Sequence, residues 1–479
     1  MVALRCDDEE PRMSISMKIY NHLPVSLQNL ATTVAGYRIK WQRYGGNSKK
    51  YVSQLEKSQW FPLEKLTEIQ EEKLRKMIGH AYQYVPYYRN LFDERGLSPK
   101  DIQKISDLEK IPILEKHVLR ERTNEFVSRY YKKRHLIVGH TGGTTGNPLT
   151  LYVDKDAFRY AFAFTETRIR HWAGVKSGDR QATFLGRLIV PINAKKPPFW
   201  RFNRAFNQML FSSFHMSENN LGYYSEELKR FQPQTIQGYV STIYTIAKYI
   251  LDRGEEGCVQ PKAILVSSET LFESQREKIE KAFASRVYNG YSAGDYGGLI
   301  TQCEKGGLHI SPEFGIIEIK EKHGKYELIT TQLFNYAMPL IRYRIGDLII
   351  PSNRSCSCRR KLPLVEYIEG RIEGMLITPE GNIISPMTMV DALKSVNNVK
   401  EAQIVQTEID KVIVRVVKKE WFGKKDLICL KKQLQERLGK RMSIEVILVD
   451  KIERTRSGKF QVVVSKVLQQ ESFLPNEVL

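Results

Sequence analysis

The chain lacks any run of about 18 consecutive apolar residues, the length a membrane-spanning helix needs, so none of its 479 residues reads as part of a span. It is also poor in cysteine, with six, at positions 6, 258, 303, 356, 358 and 429. So few thiols in so long a chain argue against a disulfide-stapled scaffold; reduced thiols and a cytoplasmic location are expected. No secretion signal is expected, because Cys6-Asp7-Asp8-Glu9-Glu10 is acidic where such a signal is basic and then apolar. Met13 and Met17 are alternative starts, and the residues ahead of them read as a frayed extension. Internal repeats, low-complexity tracts and a nucleic-acid recognition module are absent too. Nucleic acid is therefore not an expected partner, although the formal net charge is +20, from 74 basic and 54 acidic residues. That charge is spread out and forms no tail. From Arg371 onward there are 19 basic and 14 acidic residues, a balance of +5 that is close to the chain average. Such a spread allows a plain solvated surface, or attraction to an anionic ligand, an acidic glycan or a peripheral membrane surface.

What is present is enough apolar material for a large core. At 42% apolar and 10% aromatic the chain is globular, and its length implies two or more domains. Leu66, Ile69, Leu74, Met77, Ile78 and Ala81 recur near helical spacing and predict helix across 62–97, with a break at Val85-Pro86-Tyr87-Tyr88. From about 135 to 300 strand and helix patterns alternate, as in Ala263-Ile264-Leu265-Val266 followed by a helix over 272–284. That rhythm predicts an α/β architecture. Residues 308–350 are richer in strand patterns, at 316–319, 326–329 and 348–350. A boundary is expected near Gly370-Arg371-Ile372-Glu373-Gly374. Beyond it, strand patterns at 412–417 and 444–449 flank an amphipathic helix at 424–439, which predicts a small α+β domain.

The most informative segment is Thr141-Gly142-Gly143-Thr144-Thr145-Gly146-Asn147-Pro148. It follows the apolar run Leu136-Ile137-Val138-Gly139 and so leaves the end of a predicted strand. Glycines bring backbone N–H groups close to an anion, and threonine hydroxyls add donors, so the loop can cradle phosphates. Taken alone it is equally an ordinary Gly/Thr turn. A P-loop needs G-x-x-x-x-G-K-S/T, and no lysine follows Gly146; the dinucleotide fingerprint G-x-G-x-x-G does not fit either. The segment resembles the signature T-S-G-T-T-G-x-P of adenylate-forming enzymes, with Gly142 where that family usually has serine.

Four further segments extend the resemblance. They are Tyr291-Ser292-Ala293-Gly294-Asp295-Tyr296-Gly297-Gly298, Arg342-Tyr343-Arg344-Ile345-Gly346-Asp347, Gly370-Arg371-Ile372-Glu373 and Arg454-Thr455-Arg456-Ser457-Gly458-Lys459. Val85-Pro86-Tyr87-Tyr88, Gly238-Tyr239-Val240-Ser241, Gly307-Leu308-His309-Ile310 and Ala337-Met338-Pro339-Leu340-Ile341-Arg342-Tyr343 narrow it. In this order they are similar to phenylacetate–CoA ligases and the CapK-like proteins of capsular polysaccharide loci, over nearly the whole chain. The resemblance implies a large multi-subdomain AMP-binding domain with parallel-type sheets, residues 1–371, and a small mobile α+β domain, 372–479. It implies ATP, Mg2+, a carboxylic acid and coenzyme A as ligands, and leaves a homodimer open.

The implied roles follow residue by residue. Thr141, Gly142, Gly143, Thr144, Thr145 and Gly146 would hold ATP phosphates. Ser268, Glu269, Tyr291, Ser292 and Ala293 would border the adenosine, and Asp295, in place of the family's glutamate, would hold Mg2+. Asp347 suits a ribose diol, since a carboxylate accepts two hydrogen bonds, with Arg371 beside it. Tyr239 and Ser241 would border the acyl group, and Glu373 would be the hinge. Lys459, after a flexible Ser-Gly lead, would stabilise charge growing on the phosphoryl group. Read singly, each is also an ordinary turn, core or surface residue.

Cys303, His309, Cys356 and Cys358 form a separate set. Three thiols and one imidazole match a closed, structural Zn2+ site, though C-x-C is less typical than C-x2-C and four unrelated residues would read the same way. Three functions remain open from sequence: an acid–CoA ligase, an adenylating enzyme with an amine, sugar or hydroxyl acceptor, and a binding protein on the same scaffold.

Overall fold

The computed structural model describes residues 15–140, 149–322, 324–371, 374–380, 382–384, 386–394, 396, 398–455 and 459–467. These fall into two compact units. The first holds the described residues up to Ile319, together with Ile329–Ile345 and Pro351–Glu366; the second holds Lys320–Leu328, Gly346–Ile350 and those from Tyr367 onward.

The chain enters the first unit through helices Val25–Tyr44, Ser48–Ser58 and Leu63–Tyr84. The helical pattern across 62–97 resolves into two helices, Leu63–Tyr84 and Pro86–Glu94. Pro86 cannot donate a backbone hydrogen bond and forces Val85 into an extended conformation, φ −109 and ψ 111, so one helix stops and the next begins with proline in its first turn. Strands β1 (Ile137–His140) and β2 (Thr150–Val153) then pair antiparallel. The Thr141–Pro148 loop between them lies outside the described residues.

The central sheet follows. Its first strands are β3 (Gln181–Leu185), β4 (Trp200–Asn203), β5 (Gln208–Ser212), β6 (Thr235–Gly238), β7 (Ala263–Ser267), β8 (Val287–Ser292), β9 (Leu299–Gln302) and β10 (Leu308–Ile310). Strands β11 (Gly315–Lys322), β12 (Lys325–Gln332), β13 (Tyr343–Ser352) and β14 (Leu364–Arg371) complete it. The order is β11-β12-β13-β14-β10-β9-β8-β7-β6-β3-β5-β4. Strands β5, β3, β6, β7 and β8 run parallel. Every residue of β6 and β7 is buried, which is why β7 reads as an unbroken apolar run and not as an alternation. Helix Val240–Asp252 buries Val240, Ile243, Ile246, Ala247 and Ile250, a stripe at helical spacing, in the core under these strands.

The second unit carries the hairpin pair β15 (Leu376–Ile377) and β16 (Ile383–Ile384). Strands β17 (Val399–Glu408), β18 (Lys411–Lys418), β19 (Ser443–Leu448) and β20 (Val463–Ser465) form a sheet of order β19-β18-β17-β20. Helix Lys424–Leu438 lays Leu430, Leu434 and Leu438 into its core, one turn apart. Among the described residues no helix is long and apolar enough to cross a membrane.

Candidate functional site

Strands β6, β7 and β8 are adjacent and parallel, with Gly238 opposite Val266 and Ser267 opposite Gly290. Their carboxyl ends therefore open side by side, the edge at which parallel sheets hold ligands. Residues predicted from three distant stretches of sequence meet there: Tyr239 and Ser241 after β6, Ser268 and Glu269 after β7, and Tyr291, Ser292 and Ala293 at the end of β8. Tyr239 is buried and starts helix Val240–Asp252 without capping it by its side chain. Glu269 caps the helix instead: its carboxylate accepts from the Ser241 backbone N–H at 2.7 Å and the Ser241 hydroxyl at 2.9 Å, where the helix dipole favours negative charge. Ser268 holds a left-handed φ of 70 that turns the chain back. A cleft bounded by Phe162, Phe164, Thr165, Ser292, Tyr296 and Phe314 lies beside the end of β8.

After β8 the chain makes a tight turn. The Tyr296 N–H donates to the Ala293 carbonyl at 3.1 Å, and the Ala293 N–H to the Gly298 carbonyl at 3.0 Å. Asp295 is 3% exposed. Its carboxylate accepts from the Thr330 hydroxyl and the Gly297 N–H, both at 3.3 Å, and the Gln332 amide donates to its backbone carbonyl. These partners on β12 give the turn a fixed platform. Sequence reasoning did not find Thr330 or Gln332, and no motif marks them.

The second group of predicted residues belongs to the second unit. Asp347 lies inside β13, buried, with Gly346 before it at φ 80. Arg371 ends β14. Lys459 is half-buried, and its backbone pairs with Thr455: the Lys459 N–H donates to the Thr455 hydroxyl and the Thr455 N–H to the Lys459 carbonyl, both at 3.0 Å. Arg454 braces this loop by bonding Glu401 at 2.7 Å and lying 4.5 Å above the Phe460 ring. The described residues omit 456–458, and likewise Glu373 and Thr141, Gly142, Gly143, Thr144, Thr145 and Gly146 of the phosphate loop. Arg342 and Arg344, ahead of Asp347 in sequence, are spent on structure. Arg342 grips Glu318 at 2.8 and 3.0 Å and donates to the Ile111 carbonyl at 2.6 Å, while Arg344 pairs with Glu115 at 3.2 Å.

Cys303, His309, Cys356 and Cys358 converge: their ligand atoms all lie within 4.8 Å of one another. Cys303 follows β9, His309 sits in β10, and the two remaining cysteines lie between β13 and β14. The Cys303 and Cys356 sulfurs are 3.6 Å apart, too far for a disulfide, and the Cys358 sulfur is 3.3 Å from His309 Nε2. Ligands about 2.3 Å from a tetrahedral centre stand about 3.8 Å apart, so the donor set fits zinc. His309 Nδ1 faces the Leu362 carbonyl at 3.2 Å, the outer partner that fixes a ligating imidazole. Burial holds the His309 pKa below its usual value, keeping the ring neutral. Burial pushes the Cys303 thiol up to about 12. It opposes the Cys356 thiolate too, yet hydrogen bonds from Cys358, Cys303 and the Gly307 backbone hold that thiol below its usual range. Gly307 leaves the space: a Cβ there would come within 2.8 Å of the Cys356 sulfur. Around the cluster Arg360 stacks 4.5 Å over Trp172, bonds Glu304 at 2.9 Å and shares Gln59 with the Trp172 indole.

This architecture is that of the adenylate-forming enzymes. A solved 2-hydroxyisobutyryl-CoA ligase in the postadenylation state superposes with a TM-score of 0.67 at 20% identity, covering 86% of this chain and 92% of that one. Protein CapK of Staphylococcus aureus is 32% identical over 453 residues, 94% of this chain and 99% of that protein. A phenylacetate–coenzyme A ligase of Thermus thermophilus is 26% identical over 69% of this chain and 76% of its own. The profile of the CapK C-terminal domain matches residues 376–466. The chain belongs to the CapK and phenylacetate–CoA ligase family of adenylate-forming enzymes, and it is a ligase of that class.

Proposed function

We propose that the protein adenylates a carboxylic acid with ATP and then transfers the acyl group to a thiol, that of coenzyme A. The observation that carries this reading is the convergence of Tyr239, Ser241, Ser268, Glu269, Tyr291, Ser292 and Ala293 at the carboxyl ends of three adjacent parallel strands. In the first step a carboxylate oxygen attacks the α-phosphorus, the bond to the β-phosphate oxygen breaks, and pyrophosphate leaves. In the second a thiolate attacks the acyl carbon and AMP leaves, the thiol proton passing to solvent.

The Thr141–Gly146 loop holds the β- and γ-phosphates in this reading. Asp347 accepts from the ribose hydroxyls, with Arg371 beside it, and Tyr239 and Ser241 border the acyl group. Lys459 donates to the phosphoryl oxygens as charge grows on them, which lowers the barrier more than it strengthens substrate binding. Mg2+ is assigned to Asp295, through water, because the carboxylate is buried and engaged with Thr330. Residues 1–371 and 372–479 act as the nucleotide-binding and mobile domains, with Glu373 at the hinge and the cytoplasm as the site of action. Zn2+ on Cys303, His309, Cys356 and Cys358 is structural, since four protein ligands leave no open position.

One observation favours a second acceptor. The match to CapK covers 94% of the chain, against 69% for the thermophile CoA ligase, so transfer to a sugar or hydroxyl in polysaccharide synthesis is the alternative. Pyrophosphate exchange with a panel of acids tests adenylation; coenzyme A and hydroxylamine then report the acceptor. Lys459→Ala is expected to cut exchange about 100-fold or more, while thioester formation from preformed acyl-adenylate persists. Full exchange in that variant removes lysine from the first step, and no exchange or nucleotide binding with any acid removes the reading itself.

A further inference from the structure

The helix Val25–Tyr44 is built inside out. An ordinary surface helix turns its apolar stripe inward and its polar face to water. Here the inner face is polar or small. Gln28 and Gly36 are buried; Asn29 accepts from the Phe202 N–H at 2.9 Å, Thr33 from the Arg204 N–H at 3.1 Å, and Lys40 donates to the Ala205 carbonyl at 3.0 Å. Gly36 rests so closely on Asn203 that a Cβ would overlap its side-chain oxygen. The outer face carries Leu27, Leu30, Val34, Tyr37 and Trp41, spaced three and four apart and therefore one stripe, with exposures of 45, 57, 62, 55 and 62%.

A second segment exposes apolar side chains and is tied to the neighbouring helix. The loop after β3 exposes Leu188 and Ile192, at 52 and 64%, and is tied to the preceding helix by the Tyr20 hydroxyl, which donates to the Ile189 carbonyl at 2.8 Å. Next to Tyr20, Ile19 is 58% exposed. Charge then selects the occupant. Residues 11–55 contain seven basic side chains (Arg12, Lys18, Arg38, Lys40, Arg43, Lys49 and Lys50) and no acidic one. Residues 181–217 contain Arg187, Lys195, Lys196, Arg201 and Arg204, again without an acid. These two stretches, 126 residues apart in sequence and each free of carboxylates, are held together by the Tyr20–Ile189 hydrogen bond. A second copy of the chain would bring two such basic faces together, which repel.

We propose that the Val25–Tyr44 helix and the 187–196 loop dock the protein on an anionic lipid bilayer, with the apolar stripe entering the headgroup boundary, Tyr37 and Trp41 at headgroup level and the exposed Arg38, Arg187, Lys195 and Lys196 on the lipid phosphates. This surface lies outside the residues assigned to adenylation, and the proposal stands or falls independently of them.

Vesicle flotation of the full chain tests it, with phosphatidylglycerol–phosphatidylcholine vesicles against phosphatidylcholine alone. Binding is expected to the anionic vesicles only. It is expected to fall about tenfold between about 0.1 and 1 M salt, as the screening length drops from about 10 to 3 Å. The triple variant Leu30→Ser, Val34→Ser, Trp41→Ser should lose binding while keeping its melting temperature, since these side chains are solvent-exposed, and Lys195→Glu with Lys196→Glu should weaken it. Equal binding to neutral vesicles, no binding to either, or an unaltered triple variant overturns the proposal. So does a wild-type dimer in light scattering that the triple variant converts to monomer, which would make the stripe a self-interface.

Discussion

Lys73 illustrates how single residues here are fixed by partners far along the chain. Its ammonium donates to the Tyr160 hydroxyl at 2.6 Å and the Glu313 carbonyl at 3.0 Å, and burial lowers its pKa to about 8. Between that value and the unfolded value of about 10.4 the unfolded chain binds more protons, so folding stability gains as pH rises through this window. The gain is at most about 3 kcal/mol. Lys73→Met should abolish it: the melting temperature of the wild type is expected to rise relative to that of the variant from pH 8 to pH 10. Arg342 makes a related point. It is buried with Glu318 and holds φ 51, so Arg342→Ala strands a carboxylate and is expected to cost about 3–5 kcal/mol in denaturant titration. The sequence marked Arg342 as part of a nucleotide-side motif. Its partners, Glu318 and the Ile111 carbonyl, lie 24 and 231 residues away, so nothing local in the sequence could reveal that its guanidinium is already committed.

At the scale of elements, local pattern was a good guide and pairing was invisible. Strand patterns at 263–266, 412–417 and 444–449, and the helices near 272–284 and 424–439, lie within or closely overlap the observed elements, because each buries a face that its own periodicity declares. The order of the central sheet is written in no segment, and with it went the Asp295 platform on β12. Close approach between elements is equally silent: a Cβ on Gly315, at the start of β11, would sit 2.0 Å from the Gly297 carbonyl oxygen. Because that neighbour is backbone and cannot swing away, Gly315→Ala should destabilise the first unit by about 3 kcal/mol or more, measured by thermal unfolding, and should loosen the Asp295 turn. Gly324→Ala, on an open hairpin with φ 70 and no neighbour near its Cβ, should cost only about 1–2 kcal/mol.

For the whole molecule, the family was legible because short motifs kept their order over the full chain. The Cys303–His309–Cys356–Cys358 set was legible as residue types, and the structure supplies the distances. Metal analysis of the purified protein is expected to find one zinc per chain, absent in Cys356→Ser, with a lower melting temperature in that variant and after chelation. The size of that drop follows from polymer statistics. Cys303 and Cys356 are 53 residues apart, and a cross-link closing a loop of that span removes unfolded-chain entropy worth about 4 kcal/mol. The enclosed stretch carries Glu313, Glu318, Thr330, Arg342 and Asp347. A chain made without metal would therefore search a far larger set of conformations before β10 to β13 assemble, and its shortage of zinc would surface as slow or failed maturation of the nucleotide side, not as a chemical defect.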